Sequence, residues 1–340
     1  MANEDNSLKD RPLVSIVIPA YNEEKEIRNA ISEMKNQTYP NIELIVVDDG
    51  STDRTSDVAK ESGSSLRNFR VIKIDHGGPS KARNAGTKES KGDIVFFGEC
   101  DCVYDHDYLE QAVQCLEKDA DAGAVCLTGA PQIERNTIAN RCVNLENVLQ
   151  HTLLNSGKIK PFYAWVYRKI VLEQVNGFDE TLFQAEDKDL FRRVKQAGFK
   201  VAWVPGIHWR HKRSETLIEL AGKWFARARM RFLYSLKHRL IFDIGKSIFP
   251  VWLLVLGLIL IGFIPVFGGA LILLVALAIL YQSSRTMSKT WSSIEQKRIF
   301  LYYPVFLMVR NFSSGLGYTY GLFRYIGLRM VGREITYQSV

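Results

Sequence analysis

One rhythm governs the first hundred residues: a short apolar run, a polar turn, then an amphipathic stretch. LVSIVIPA (13–20), IELIVVDD (42–49), FRVIKI (69–74) and DIVFF (93–97) are the apolar runs. Rich in β-branched residues, they have the pattern of strands buried on both faces. NEEKEIRNAISEMKNQ (22–37) follows the first run and sets Ile27, Ile31 and Met34 on one helical face. Asn22 is its expected cap, with acids in the first turn. STDRTSDVAKES opens a second helix, and PSKARNAGTKES a third with Pro79 near its start. Strands alternating with helices dictate an α/β sandwich around a mostly parallel sheet.

In such sheets ligands bind beyond the carboxyl ends of the strands. Polar clusters lie at those ends: YNE after the first run, DDGS after the second, HGGPSKARN after the third and ECD after the fourth. Asp48 and Asp49 offer acceptors to a nucleobase or to ribose hydroxyls. Lys81 and Arg83 are cations near a helix start, a place that favours phosphate. Glu99 and Asp101 are either charges at a strand end or the carboxylates of a divalent cation site. Magnesium takes one or two carboxylates together with substrate phosphates. Base, sugar, diphosphate and metal together describe a nucleotide-linked substrate. Neither the glycine pattern of a dinucleotide-binding fold nor a phosphate loop ending in G-K-[ST] is present, so the sequence supports neither a dehydrogenase nor a P-loop nucleotidase. Five cysteines, at 100, 102, 115, 126 and 142, form no framework, and no second pair accompanies Cys100 and Cys102 to complete a zinc site. Reduced thiols are the expectation.

At 340 residues the chain exceeds one typical domain of about 100–200 residues. Residues 1–246 are mixed and polar, whereas 247–283 are almost wholly apolar. The N-terminal residues 1–12 are polar and acidic without the apolar stretch of a signal peptide, so the polar part is expected to stay cytosolic. The net charge of +7 matters through its location. Lys223, Arg227, Arg229, Arg231, Lys237 and Arg239 precede the apolar block, which fits a membrane-flanking segment better than a nucleic-acid patch. Between Ile248 and Tyr281 no residue is charged. That run is too long for one span of about 20 residues, and PVFGG (265–269) divides it into an expected hairpin, 247–264 and 268–284. A multi-pass cell-membrane protein follows, with its polar domain on the cytoplasmic side. For 298–323 the basic C-terminus disfavours a third membrane helix, which leaves an interfacial or partly inserted one as the expectation. Gly315, Gly317 and Gly321 would alternatively allow close helix packing.

VSIVIPAYNEE, IVVDDGSTDRT, KARNAGTKESKGDIVFF, ECDCVYDHDYLE, VNGFDETLFQAEDKDLFRRVKQAGFKVAWVP and HWRH occur in this order over 14–213. The ordered set resembles the family-2 glycosyltransferases of GT-A fold. The resemblance implies inverting transfer from a nucleotide-sugar of UDP or GDP type, with Mg2+ or Mn2+ on the diphosphate. Pro19, Tyr21, Glu23, Asp48, Asp49, Lys81 and Arg83 then fall on the donor side. Glu99 and Asp101 take the places of the family's D-x-D, with Glu at the first position a departure that shifts the geometry. His211 falls where a further metal or diphosphate contact is common, and His208 lies nearby. The family's E-D pair falls on Glu186 and Asp187, with Asp187 as the general base. Read without the resemblance, those acids are also ordinary at a helix start. Tyr21 and Trp165 either stack on a ligand or belong to the core, and Arg168 either meets phosphate or begins the helix RKIVLEQV.

These expectations define domains at 13–215 (catalytic), 216–246 (basic linker), 247–284 (hairpin) and 285–340, after a tail at 1–12. Lys223, Arg227 and Arg231 share a helix face, suited to lipid headgroups, to the pyrophosphate of a lipid-linked acceptor, or to plain anchoring. The expected reaction is transfer to a hydroxyl of a lipid-linked saccharide or lipid. Transfer to a polyprenyl phosphate is the alternative, although a phosphate hardly needs the base that Glu186-Asp187 suggests. A degenerate nucleotide-sugar-binding or scaffold protein and a nucleotidyltransferase are the readings from other classes. A processive synthase lacks its Q-x-x-R-W motif, for which GKWFARAR is a distant echo.

Overall fold

The computed structural model describes residues 11–128, 132–133, 137–156, 158, 163–205, 209–211, 216–290, 299 and 301–331. Its elements fall into two compact units. One comprises Met1–Glu134, His151–Glu180 and Glu186–Arg213, and the other Arg135–Gln150, Thr181–Ala185 and Ser214–Val340.

In the first unit the expected alternation is present: β1 Val14–Ala20, α1 Ile27–Lys35, β2 Ile42–Asp48, α2 Thr55–Gly63, β3 Phe69–Lys73, α3 Pro79–Glu89 and β4 Ile94–Phe97. It continues through β5 Cys102–Tyr104, α4 Tyr108–Lys118, β6 Ala122–Thr128 and β7 Gln132–Ile133. After α5 Ile138–Asn155, which up to Gln150 belongs to the second unit, come β8 Val166–Arg168, α6 Lys169–Gln174, α7 Glu186–Gln196, β9 Lys200–Pro205 and β10 Trp209–His211. Among the described residues a seven-stranded sheet has the order β3-β2-β1-β4-β8-β6-β9. All its pairings are parallel except those of β8, which runs antiparallel to both neighbours. A small sheet, β5-β10-β7, lies apart from it.

The apolar runs are continuous because both sheet faces are covered. Ile16, Ile18, Leu44 and Val46 pack with Ile27, Ile31 and Met34 of α1 and with Leu109 and Val113 of α4. Val17, Ile45, Val47 and Phe97 pack on the other side with Ala82, Leu190 and Val194. Each such side chain contributes about 1.5–3 kcal/mol when fully buried. α3 lies close on β1 because a Cβ on Gly86 would meet Val17 Cγ1 at 2.2 Å. That approach brings Arg83, one turn earlier, to the strand ends.

The structure corrects the start of α1. The helix begins at Ile27 with no acid in its first turn, and Asn22 is not its cap. Asn22 stands at φ 55° and closes a loop instead: its Oδ1 accepts the Thr52 N–H at 2.9 Å, and its own N–H donates to Ser51 Oγ at 3.0 Å.

The second unit contains α8 Leu217–Lys237, α9 Ile241–Ile261, α10 Pro265–Thr290 and α11 Tyr303–Met330. Residues 262–264 divide the apolar block, so Pro265 opens the second helix of the hairpin rather than ending the first. Where two spans are expected, one helix qualifies by length and composition. Among the described residues only Val266–Thr286 is long and apolar enough to cross a membrane, while the apolar stretch Ser247–Ile261 falls short of the about 20 residues required. Within 298–323, the residues from Tyr303 onward lie in α11, whose glycines serve packing: a Cβ on Gly317 would lie 2.3 Å from Phe225 O, and one on Gly321 2.9 Å from Arg229 O. Beside it, Glu146 of α5 accepts from Tyr303 at 3.0 Å and pairs with Arg310.

Candidate active site

The carboxyl ends of β1, β2 and β4 form one edge of the parallel half-sheet. At the end of β2, Asp48 is fully buried. Its Oδ1 accepts the Ser51 N–H at 2.8 Å, whereas Oδ2 has no hydrogen-bond partner and faces the Lys73 ammonium at 3.9 Å. Asp49 organises the loop around it. Its carboxylate accepts the N–H groups of Gly77 and Gly78, each at 2.8 Å, and lies 2.9 Å from His76 Nδ1. Tyr21 stacks on that His76 ring at 4.1 Å and is 43% exposed, so an aromatic shelf is built over Asp49. Glu23 N–H donates to Thr55 Oγ1 at 2.8 Å, and the partly buried Pro19 offers its carbonyl to the Cys100 thiol. Lys81 Nζ donates to Asp75 O at 3.1 Å.

Arg83 links two stretches that are distant in sequence. Nη1 donates to Glu186 Oε1 at 2.8 Å, and Nη2 lies 3.9 Å from Glu99 Oε1. The guanidinium is 5% exposed and sits over the rings of Trp165 and Phe178, at 5.2 and 5.3 Å. Trp165, with alternatives open in the sequence, thus packs against the cation. Arg168 donates instead to the carbonyls of Leu116 and Ala122, away from the strand-end clusters.

Glu99 and Asp101 are partly exposed while Cys100 and Cys102 are buried. A carboxylate oxygen of each acid and Cys102 Sγ lie within 4.8 Å of one another. The Cys102 thiol donates to Glu99 Oε2 at 3.2 Å and contacts Asp101 Oδ1 at 3.7 Å. Two carboxylates held together and partly exposed fit a hard divalent cation such as Mg2+ or Mn2+. Register in the small sheet sets His211 of β10 opposite Cys102, so its backbone neighbours Asp101. His208 lies outside the described residues.

Glu186 and Asp187 open α7, as the sequence implied. Glu186 is 12% exposed. Burial, the largest influence, pushes its carboxyl above the ordinary range; Arg83 opposes the shift and Asp187 adds to it. Asp187 accepts the Lys188 N–H at 2.8 Å and stays partly accessible. Ala185 precedes the pair at φ 63°, a left-handed conformation costing a residue with a Cβ about 1–2 kcal/mol. Asn84, which sequence reading passed over, fixes the approach to α7. It donates to Phe178 O and Glu180 Oε1, both at 2.9 Å, and accepts the Phe178 N–H at 2.8 Å. Its place one residue after Arg83 in KARN was the available signal.

Residues 15–175 match the family model described as glycosyl transferase family 2. The chain carries a family-2 glycosyltransferase domain. It is 29% identical over 283 residues to the probable glycosyltransferase YdaM of Bacillus subtilis, covering 75% of this chain and 66% of that protein. With the glycosyltransferase AglE of Haloferax volcanii it shares 27% identity over 270 residues, 75% of this chain and 82% of the other. The chain thus spans just under two thirds of YdaM's length. A mannosyltransferase from Pyrobaculum calidifontis, solved with GDP-Man and Mn2+, superposes with a TM-score of 0.56 at 16% identity over 89% of this chain and 87% of that one. At that identity the likeness concerns the fold, which is the GT-A fold implied by the motifs.

Proposed function

We propose that this glycosyltransferase domain moves a sugar, with inversion, from a nucleotide-sugar of UDP or GDP type to a hydroxyl of a lipid-linked saccharide or lipid in cell-surface glycan synthesis. One observation carries the reading: a single buried guanidinium, Arg83, holds Glu99 of the candidate metal pair and Glu186 of the E-D pair at the same strand ends. Leaving-group and acceptor chemistry need this proximity, because both bonds change in one displacement.

The acceptor oxygen bonds to the anomeric carbon as the bond from that carbon to the diphosphate oxygen breaks. Asp187 takes the hydroxyl proton, help worth about 10²–10⁴-fold. Glu186, fixed by Arg83, keeps Asp187 at the start of α7. Asp48, Lys81 and the Tyr21–His76 shelf bind and orient the nucleotide half of the donor. Glu99 and Asp101, with His211, would hold Mg2+ or Mn2+, whose charge offsets that of the departing diphosphate. The mannosyltransferase solved with GDP-Man and Mn2+ lends support to that choice. Anchoring falls to the helix Val266–Thr286 and to Lys223, Arg227 and Arg231 on the exposed face of α8.

The test is nucleotide release from UDP- and GDP-sugars by detergent-purified protein with Mg2+ or Mn2+. Slow, metal-dependent release that Asp101→Ala abolishes supports the proposal. No release and no metal-dependent nucleotide binding across the panel would leave the degenerate binding protein as the better account.

A further inference from the structure

The second unit holds a pocket of about 440 Å3 between α9, α10 and α11, lined by none of the candidate catalytic, donor-binding or metal residues. Its size lies within the about 300–1,000 Å3 typical of small-molecule sites. Phe249 and Val251 of α9, Leu274 and Ile279 of α10, and Phe312 of α11 form apolar walls. Against them stands one polar patch. Asn311 Nδ2 donates to Gln282 Oε1 at 3.2 Å, and Ser247 and Ser314 also line the cavity.

Two backbone features open this space. Pro250 lies inside α9, where it removes one rung of the helical hydrogen-bond ladder. Gly315 lets α11 pack directly on α9, since a Cβ there would meet Ser247 O at 2.5 Å. Close contact at Gly315 beside a weakened turn at Pro250 leaves a crevice between the helices rather than a filled core.

What fits the crevice follows from its chemistry. Water needs two to four polar partners per molecule, and the walls are mostly hydrocarbon. A second protein helix needs a long open face, whereas three helices surround this pocket. The outer faces of the same hairpin expose Leu258, Leu273 and Leu277, so its surroundings are apolar as well. A single hydrocarbon chain entering from a lipid phase, with a polar end at Gln282 and Asn311, suits walls, volume and surroundings together.

We propose that this pocket binds the acyl or isoprenyl chain of the lipid acceptor. The inference rests on the lipid-acceptor reading above and adds to it a location for the chain. Chain length then becomes a determinant of acceptor choice, set in the second unit rather than among the strand-end carboxylates.

The experiment uses the full chain in detergent and a photoactivatable C16 alkyl diazirine, with label sites mapped by peptide mass spectrometry. Ala278→Trp and Ser314→Trp, on two different helices, fill the cavity. Label is expected on the lining residues Val251, Val275, Ile279, Met308 and Phe312 and not on Leu277 or Leu280, reduced about tenfold or more in each variant, because two buried methylenes are already worth about that factor. KM for a long-chain acceptor should rise by a similar factor, with donor hydrolysis and the thermal midpoint unchanged. Label spread over Leu273, Leu277 and Leu280 on the outer face and indifferent to both tryptophans would overturn the proposal, marking bulk lipid contact only. So would pocket labelling that both variants abolish without raising KM for the long-chain acceptor. Absence of donor hydrolysis in the wild type would instead sink the transferase reading, and labelling reports on the pocket regardless of that result.

Discussion

Strand β2 carries a buried carboxylate near each end, and the two are treated oppositely. Glu43, near the amino end, is 2% exposed and fully answered: it accepts from Ser15 Oγ and the Lys91 N–H, and pairs with Arg70 at 3.0 Å. Although burial raises its carboxyl most, those donors together bring it below the ordinary range. Asp48, near the carboxyl end, has an oxygen with no hydrogen-bond partner. At that same edge Glu186 is held above the ordinary range by burial, against the pull of Arg83. At one end of the strand the carboxylate is satisfied; at the other it retains capacity for something else to bind. An incompletely answered buried carboxylate costs stability, and it persists where a ligand completes it.

The contrast can be broken first at the open end. Asp187→Asn should lower transfer by about 10²–10⁴-fold while the urea midpoint stays near that of the wild type. An equally large loss of stability would turn Asp187 into a structural residue. Arg83→Ala should cost about 3–5 kcal/mol, because it leaves Glu186 buried without its cation; urea unfolding measures this directly. Arg83→Lys, with one compact charge for two carboxylates, should recover part of that stability and little activity.

At the closed end, Glu43→Gln should cost about 2–3 kcal/mol at neutral pH, through donors left without a full acceptor. The pH dependence separates the two ends. The stability from Glu43 is present above the unfolded carboxyl pKa, about 4.3, and is lost as pH falls through its lower folded value. That from Glu186 is present below the unfolded value and is lost as pH rises through its higher folded one. The destabilisation by Glu43→Gln should therefore shrink towards acid, and that by Glu186→Gln should shrink towards neutral pH. Parallel slopes would erase the distinction. The smallest effect belongs to Ala185→Gly, expected to stabilise by under about 1 kcal/mol as left-handed strain is relieved against a greater loss of chain entropy. A thermal melt would detect it.

The half-sheet up to β4 was legible because both faces of its strands are buried, giving unbroken apolar runs such as VSIVIPA. The antiparallel β8 was not. Its VYR is three residues long and has no alternation to detect. The acids of the site were legible as types at strand ends and helix starts, but not their coupling. Arg83 and Glu186 are 103 positions apart, and only folding makes them neighbours. Local rules also misassigned Asn22, whose cap-like chemistry is used across the chain on Thr52. Asp49, expected as a ligand acceptor, also accepts the amides of Gly77 and Gly78, a fold role that its position in the sequence does not reveal. The two-span hairpin counted apolar residues correctly but overlooked that the apolar part of α9 ends short of a bilayer's thickness.

The glycines of α11 have a consequence for how the second unit goes together. Gly317 and Gly321 abut the carbonyls of Phe225 and Arg229, so each helix presents its contacts four residues apart and in the same direction. A slide of one turn would bring Gly321 to Phe225 but drive Tyr325 into the carbonyl of Arg229. The seam therefore works as a two-toothed key with a single seating. A Cβ at either position would have to displace a backbone carbonyl, so the two glycines together fix the register of the pair.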